Sequence, residues 1–350
     1  MKISFCVTTY NRVNELKQAV GSILNQKDLD RIEYELLISD DSTDDTTNNY
    51  VNSLLETNSA VRYLKNPYKG QFNNLNNVIN NSKYDWIVFL HDDDLLSDNY
   101  LKEIVKVLSS YSTDEISIIW GARNLITKNG VSFNVLKSSL KSNKGFVEVE
   151  NEKFFYQMLS SNDYTYQGLV IAPMVTGLMI RRELAKSVLF DNEFHFNADG
   201  LFLWKVYYLS KKSLFINKPI VNYRWVDNSE RAKPSEKGVV FAEMKGILLK
   251  MIDFMEKKTE KRDLDMYRKK FMTNFYNHAV GLDSPVTWIA LRYKGSYMGR
   301  LRIIFEILCE SVKNQPELLI KPVFYMAVLL GILPRFVLEP MYRIYFKYIY

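Results

Sequence analysis

The sequence predicts an α/β protein, a mostly parallel sheet covered by helices, followed by a helical carboxyl-terminal extension. Strand-like and helix-like segments alternate along the first third of the chain, the pattern of a sheet wound with crossover helices. The strand-like segments are apolar throughout instead of alternating, as strands buried on both faces are. From Gly238 onward the apolar residues recur at helical spacing.

The elements follow in order. Ile3 to Val7 is a buried strand, and Val13, Leu16, Val20, Ile23 and Leu24 then fall on one helical face. Glu35-Leu36-Leu37-Ile38-Ser39 is a second strand ending in acids, and Val61 to Leu64 a short third. The Asn-rich stretch from Phe72 to Asn81 places Leu75, Val78 and Ile79 on one face of a helix. Trp86-Ile87-Val88-Phe89-Leu90 is a fourth, strongly apolar strand. Ser97 is expected to cap a helix that turns Leu101, Ile104, Val105 and Leu108 inward. Residues 116–231 mix short strands and loops, and Met244, Ile247, Leu248, Met251 and Met255 line one face of a later helix. The expected division is 1–115, the first half of a sheet domain; 116–235, its second half; and 236–350, a helical region.

Composition narrows the class. Of 350 residues, 47% are hydrophobic and 25% charged, which fits a globular chain able to bury a core and excludes a disordered or fibrous one. Two cysteines, Cys6 in an apolar run and Cys309, point to free thiols and a reducing compartment. The chain opens on a strand instead of a charged and then apolar leader, so no secretory signal is expected. Three scattered histidines, His91, His195 and His278, exclude a His-based metal site. The net charge is +6, and nine Lys/Arg against four Asp/Glu in residues 286–350 put most of that surplus at the carboxyl end. The apolar content there favours an anionic membrane surface over nucleic acid as partner.

In sheets of this kind ligands sit beyond the carboxyl ends of the strands. Three ends carry polar clusters: Thr8-Thr9-Tyr10-Asn11-Arg12, Asp40-Asp41-Ser42-Thr43-Asp44 and His91-Asp92-Asp93-Asp94. Three successive carboxylates at a buried strand end repel one another unless a cation neutralises them. Mn2+ or Mg2+ suits hard oxygen ligands and shares them with phosphates. Asp40 and Asp41 suit hydrogen bonds to a base or ribose, and equally a turn. Arg12 suits phosphate, and Asn11 a helix cap. No Gly-rich phosphate loop follows the first strand, so a dinucleotide fold is excluded.

These three segments, in this order, resemble the family-2 inverting glycosyltransferases of the GT-A fold, of the bacterial surface-polysaccharide type. The resemblance continues through Thr176 to Glu183, Phe190-Asp191 and Asn197-Ala198-Asp199-Gly200, and covers residues 2–228. It implies that Thr9, Tyr10, Arg12, Asp40, Asp41, Asp92, Asp93 and Arg224 bind the nucleotide sugar. Asp92 and Asp94 would hold the metal as a D-x-D pair. His91 stands where the family has an acid, which makes Asp93 the alternative member of that pair. Asp199 would be the catalytic base, with Asp191 the nearest competitor and an N-cap role the alternative. The family often carries Arg-x-His where this chain has Arg224-Trp225-Val226, so a contact from that His is not expected.

The implied function is sugar transfer, with inversion, from a nucleotide diphosphate sugar to a glycan or lipid-linked acceptor in surface polysaccharide synthesis. A non-catalytic glycan-binding subunit or a sugar nucleotidyltransferase are the alternatives. The run from Val323 to Leu333 is uncharged but too short to span a bilayer. With Lys321, Arg335, Arg343 and Lys347 around it, residues 316–350 suit either a helix lying on a membrane or one packed on the enzyme. A cytoplasmic location, peripheral on the inner face of the membrane, is the corresponding expectation.

Overall fold

The computed structural model describes residues 1–111, 115–127, 129–136, 145–161, 165–166, 169–171, 173–194, 197–224, 238–258, 261–280, 285–334, 337–338 and 340. His195, Trp225, Val226, Arg335, Arg343 and Lys347, named above, lie outside them. The chain divides into two compact units. One comprises Met1–Met158, Asp163–Asn192 and Ala198–Asp227, the other Leu159–Asn162, Glu193–Asn197 and Asn228–Tyr350.

The first unit opens with β1 (Lys2–Thr9), α1 (Val13–Leu24), β2 (Glu33–Asp40), α2 (Thr46–Leu55), β3 (Val61–Lys65), α3 (Gln71–Asn81), β4 (Trp86–His91), β5 (Leu95–Leu96) and α4 (Tyr100–Leu108). It continues with β6 (Ile116–Ile126), β7 (Ser132–Leu136), β8 (Phe146–Glu150), α5 (Asn151–Ser161), β9 (Thr165–Tyr166), β10 (Leu169–Val170), β11 (Met179–Arg181), α6 (Arg182–Val188), α7 (Ala198–Leu209) and β12 (Lys212–Arg224).

A ten-stranded sheet runs in the order β3-β2-β1-β4-β11-β6-β12-β5, with β7 beside β6 and β8 beside β12. Strands β3, β2, β1 and β4 are parallel, whereas β11 runs antiparallel to both β4 and β6. The parallel strands are the apolar runs of the sequence: Ile3, Phe5, Cys6 and Val7, and Leu36, Leu37 and Ile38, are fully buried. Burying both faces of such strands supplies most of the drive to form the sheet.

Four local expectations are corrected. The middle of the chain is built on two long strands, β6 and β12, which pair in parallel. Their partners lie about a hundred residues away in sequence, so no local pattern announced their length. Helix α4 starts after Asn99, and Ser97 contributes only its carbonyl, which accepts from the amide of Tyr100. Val105 faces solvent because α4 buries the stripe Leu101, Ile104 and Val107. Asn11 does not cap α1. It adopts φ 53°, and its side chain bridges to Thr43 instead.

The second unit contains α8 (Val240–Glu256), α9 (Lys261–Ala279), α10 (Pro285–Arg292), α11 (Tyr297–Asn314), a 3-10 turn (Pro316–Ile320) and α12 (Pro322–Ile332). The inward stripe of α8 is Ile247, Leu248, Met251 and Met255, and Phe241 packs on Phe275 of α9. Arg300 is buried within this unit, its guanidinium donating to the carbonyls of Ala290 and Leu333. Among the described residues, no helix is long and apolar enough to cross a membrane.

Candidate active site

Parallel pairing in register brings the ends of three strands level. Thr9 pairs with Asp40, and Thr8 with His91. The polar residues that follow therefore meet at one edge. Thr9 joins two of the clusters: its hydroxyl donates to Asp92 Oδ2 at 2.8 Å, and its carbonyl accepts from the amide of Asp41 at 3.0 Å. The amide of Tyr10 donates to the same Asp92 oxygen at 3.2 Å. The Arg12 guanidinium spans Asp92 Oδ1 at 3.3 Å and Asp93 Oδ2 at 2.7 Å.

Asp40 and Asp41 part company. Asp40 is fully buried and accepts from the amide of Ser42, the Tyr63 hydroxyl and the Lys65 ammonium. Burial alone would raise its pKa, but these donors outweigh burial and hold it below the ordinary carboxylate value. Asp40 thus braces the strand tip. Asp41 is half-buried and accepts from the Asn66 amide at 3.2 Å and the backbone of Gly70 at 2.8 Å, at the start of α3.

Asp92 and Asp94 are both buried. Burial first, and the neighbouring Asp93 carboxylate second, push the Asp92 carboxyl up to about 6. The same two causes raise Asp94 to about 8. Both carboxyls would be more stable with a cation beside them than with the protein alone. Asp94 Oδ1 accepts from the backbone amide of Arg224 at 2.8 Å, and the Thr176 hydroxyl also hydrogen-bonds to it. The Arg224 side chain donates from Nε to the carbonyl of Asp93 at 2.7 Å and from Nη2 to Gln18 at 2.9 Å. Pairing of β5 with β12 (Leu95 opposite Asn222) accounts for this meeting. The two residues after Asp94 are zipped to the strand that ends in Arg224.

Asp199 lies in the first turn of α7, half-buried, with Oδ1 accepting from the amide of Gly200 at 2.9 Å. Phe202, three residues on, stacks on Phe190 with centroids 4.0 Å apart and meets Phe89 edge-on. Phe89 stands two residues before His91 on β4, so this aromatic cluster draws the start of α7 toward the acidic strand end. The His91 ring accordingly feels the charges of both Asp93 and Asp199, although burial dominates and lowers its pKa, leaving it neutral.

The structure thus brings Thr9, Tyr10, Arg12, Asp41, Asp92, Asp93, Asp94 and Arg224 to one edge and sets Asp199 within electrostatic range of it. Sequence reasoning missed Gln18, Tyr63, Lys65, Asn66, Gly70 and Thr176, which hold these groups in place. Asn74 was missed as well; its side chain, buried in the first turn of α3, donates to the carbonyls of Thr9 and Ser39. The one signal for it was an Asn in the buried stripe of a helix.

Among the described residues, no three His, Cys, Asp or Glu side chains converge as a ligand set. The donor set nevertheless fits a hard divalent cation, which typically takes one or two protein carboxylates and completes its shell with water and substrate phosphates.

Known proteins resemble the chain in sequence and in fold. The family model of glycosyl transferase family 2 matches residues 4–184, just over half of the chain. A GalNAc(5)-diNAcBac-PP-undecaprenol beta-1,3-glucosyltransferase of Campylobacter jejuni is 29% identical over 230 residues, 64% of this chain and 64% of that protein. Glycosyltransferase GlyA of Streptococcus pneumoniae is 23% identical over 230 residues, 64% of this chain but 30% of that one. The chain therefore spans less than two thirds of either curated relative. Among solved structures, S. aureus TarS 1–349 in complex with UDP-GlcNAc superposes with a TM-score of 0.64 at 18% identity, over 98% of this chain and 92% of that one. Mannosyltransferase PcManGT from Pyrobaculum calidifontis, in complex with GDP-Man and Mn2+, gives 0.51 at 13% identity, over 94% and 83%. These likenesses establish the expected GT-A fold with its helical carboxyl-terminal portion, and the family match assigns the protein to glycosyl transferase family 2.

Proposed function

We propose that this glycosyltransferase moves a sugar from a nucleoside diphosphate sugar to an acceptor hydroxyl with inversion, in the synthesis of a bacterial surface glycan. The observation that carries the proposal is the pair of buried carboxyls, Asp92 and Asp94, driven toward protonation at the crevice edge beside Thr9 and Asp41. Such a pair favours a cation and, through it, a diphosphate. The Mn2+ in the PcManGT complex and the UDP-GlcNAc in the TarS complex support the same assignment by analogy of fold.

Thr9 and the amide of Tyr10 fix the Asp92 carboxylate, and the amide of Arg224 fixes Asp94, so both groups would be preorganised for a cation shared with the diphosphate. A bound Mn2+ or Mg2+ would offset the negative charge that builds on the departing diphosphate. Arg12 and Arg224 add fixed positive charge beside it. Asp41 is assigned the nucleoside, with Asp40 bracing the strand behind it. Asp199 accepts the proton of the acceptor hydroxyl as its oxygen bonds to the anomeric carbon. The bond from that carbon to the diphosphate oxygen breaks with its electron pair leaving on the diphosphate. Attack opposite the leaving group inverts the configuration.

The acceptor is proposed to be a lipid-linked glycan, as the name of the Campylobacter jejuni relative implies for that protein. It would bring the enzyme to the inner face of the cytoplasmic membrane. Release of nucleoside diphosphate from a panel of UDP- and GDP-sugars, with Mn2+ or with chelator, tests the transfer reading. Turnover of one donor that stops on chelation is expected. Release of pyrophosphate from a nucleoside triphosphate, or no turnover of any donor, would overturn it.

A further inference from the structure

The helix α12 carries no charged residue, yet it is not a buried helix. Phe324, Ala327 and Gly331 point inward, and Gly331 sits so close to Ile304 that a Cβ there would lie 2.8 Å from its Cγ2. The opposite stripe is open to solvent. Leu319, Ile320, Tyr325, Met326, Leu329 and Ile332 are all exposed, Ile320 by 83% and Leu329 by 57%. Tyr297, whose hydroxyl donates to the carbonyl of Ile332, and Met298 continue the apolar surface at the far end of the helix. Monomeric proteins rarely leave a contiguous apolar face of this kind uncovered without a partner for it.

The border of the stripe is basic. Lys321 lies between Ile320 and α12, and its ammonium donates to the neutral amide of Asn277 at 2.9 Å, which leaves its charge in place. Asn277 lines an open groove of about 320 Å³ along α9, together with Thr273, Lys269 and Lys270. Gln315 crosses to Thr273 and ties the segment before α12 to the same groove. From Gln315 to Ile332 the only charges are Glu317 and Lys321, one of each sign, so the positive charge of this face comes from Lys269 and Lys270 of α9. A second copy of the chain packed on this face would bring like charges together. An anionic lipid surface would not.

We propose that the stripe of α12 and the preceding turn, with the lysines of the α9 groove, docks the protein on the face of an anionic phospholipid bilayer. Eleven residues cannot span it, so the helix lies in the headgroup layer with Ile320, Tyr325 and Leu329 seated toward the acyl chains. Lys269, Lys270 and Lys321 meet the lipid phosphates, each worth about a fivefold factor in partition. This goes beyond the transfer reaction and does not depend on it: a protein that turned over no donor would still bind vesicles.

The test is co-sedimentation of the full chain with vesicles, either phosphatidylcholine alone or phosphatidylcholine with phosphatidylglycerol. Partition onto the anionic vesicles is expected, weakened by high salt. It should fall at least tenfold for Ile320→Glu/Leu329→Glu and also for Lys269→Glu/Lys270→Glu, both at exposed positions, with melting temperature and nucleotide binding unchanged. The inference fails if the protein binds neither vesicle, or binds both equally. It also fails if Ile320→Glu/Leu329→Glu abolishes self-association in analytical ultracentrifugation while vesicle binding persists, since the face would then join two copies.

Discussion

The backbone amide of Arg224 donates to the carboxylate of Asp94 at 2.8 Å across 130 residues of sequence. The last residue of a long strand thus holds the end of the acidic cluster, and its side chain returns to the carbonyl of Asp93 and to Gln18. Arg224→Lys keeps the charge and the amide but loses the fork that makes both side-chain bonds. A buried acceptor left unpaired costs about 1–3 kcal/mol. The variant is expected to melt several degrees lower and to lose about tenfold in kcat/KM, more than the loss of charge at an exposed site would produce. Differential scanning calorimetry and steady-state kinetics together check this.

Asp199→Asn separates a chemical role from a structural one. As the base, Asp199 contributes roughly 10²–10⁴ to kcat. The variant is expected to lose that much in kcat while binding nucleoside diphosphate within about twofold of the parent, with an unchanged melting temperature. An unchanged kcat would move the base elsewhere, with Asp191 the first residue to try.

The acid pair gives the metal-free protein an unusual pH response. A carboxyl raised in the folded state binds its proton more tightly there than in the unfolded chain. Its contribution to stability is therefore complete below the ordinary value of 3.8 and is lost as pH rises through the folded value, about 6 for Asp92 and about 8 for Asp94. Through this window the melting temperature in chelator should fall with rising pH, and Asp94→Asn should flatten the fall. Mn2+ should raise the melting temperature most at the alkaline end, because binding requires both carboxylates deprotonated.

Gly177 links the two halves of the sheet. At φ +74° its amide donates to the carbonyl of Phe89, and a Cβ there would stand 2.0 Å from Val221 Cγ2. Gly177→Ala is expected to cost at least about 2 kcal/mol in chemical denaturation, from the left-handed backbone and the overlap together. Val221→Ala in the same chain should restore part of it, since it removes only the overlap.

The halves of the site were not equally legible. The tips of β1, β2 and β4 could be read directly, because apolar runs followed by polar clusters mark buried strands and where they end, and parallel register then brings the clusters together. Asp40 and Asp41 looked alike as neighbouring acids. Which one turns inward depends on Tyr63 and Lys65 from the next strand, a contact no local pattern records. Arg224 reaches Asp94 because β12 pairs with β5, and Thr176 because the segment leading into β11 pairs with β4; pairing over such distances is set by the whole fold. Helix α12 showed its uncharged composition in sequence, but only the packing of Gly331 on Ile304 reveals which stripe stays open.

The most direct measurement is isothermal titration calorimetry of UDP and GDP into the purified protein, with Mn2+ and with chelator, for the parent and for Asp94→Asn. One nucleotide should bind the parent with Mn2+ at least tenfold more tightly than in chelator, and that gain should vanish in Asp94→Asn. Binding of equal strength with and without the cation, or no binding of either nucleotide to the parent under any condition, would contradict the account.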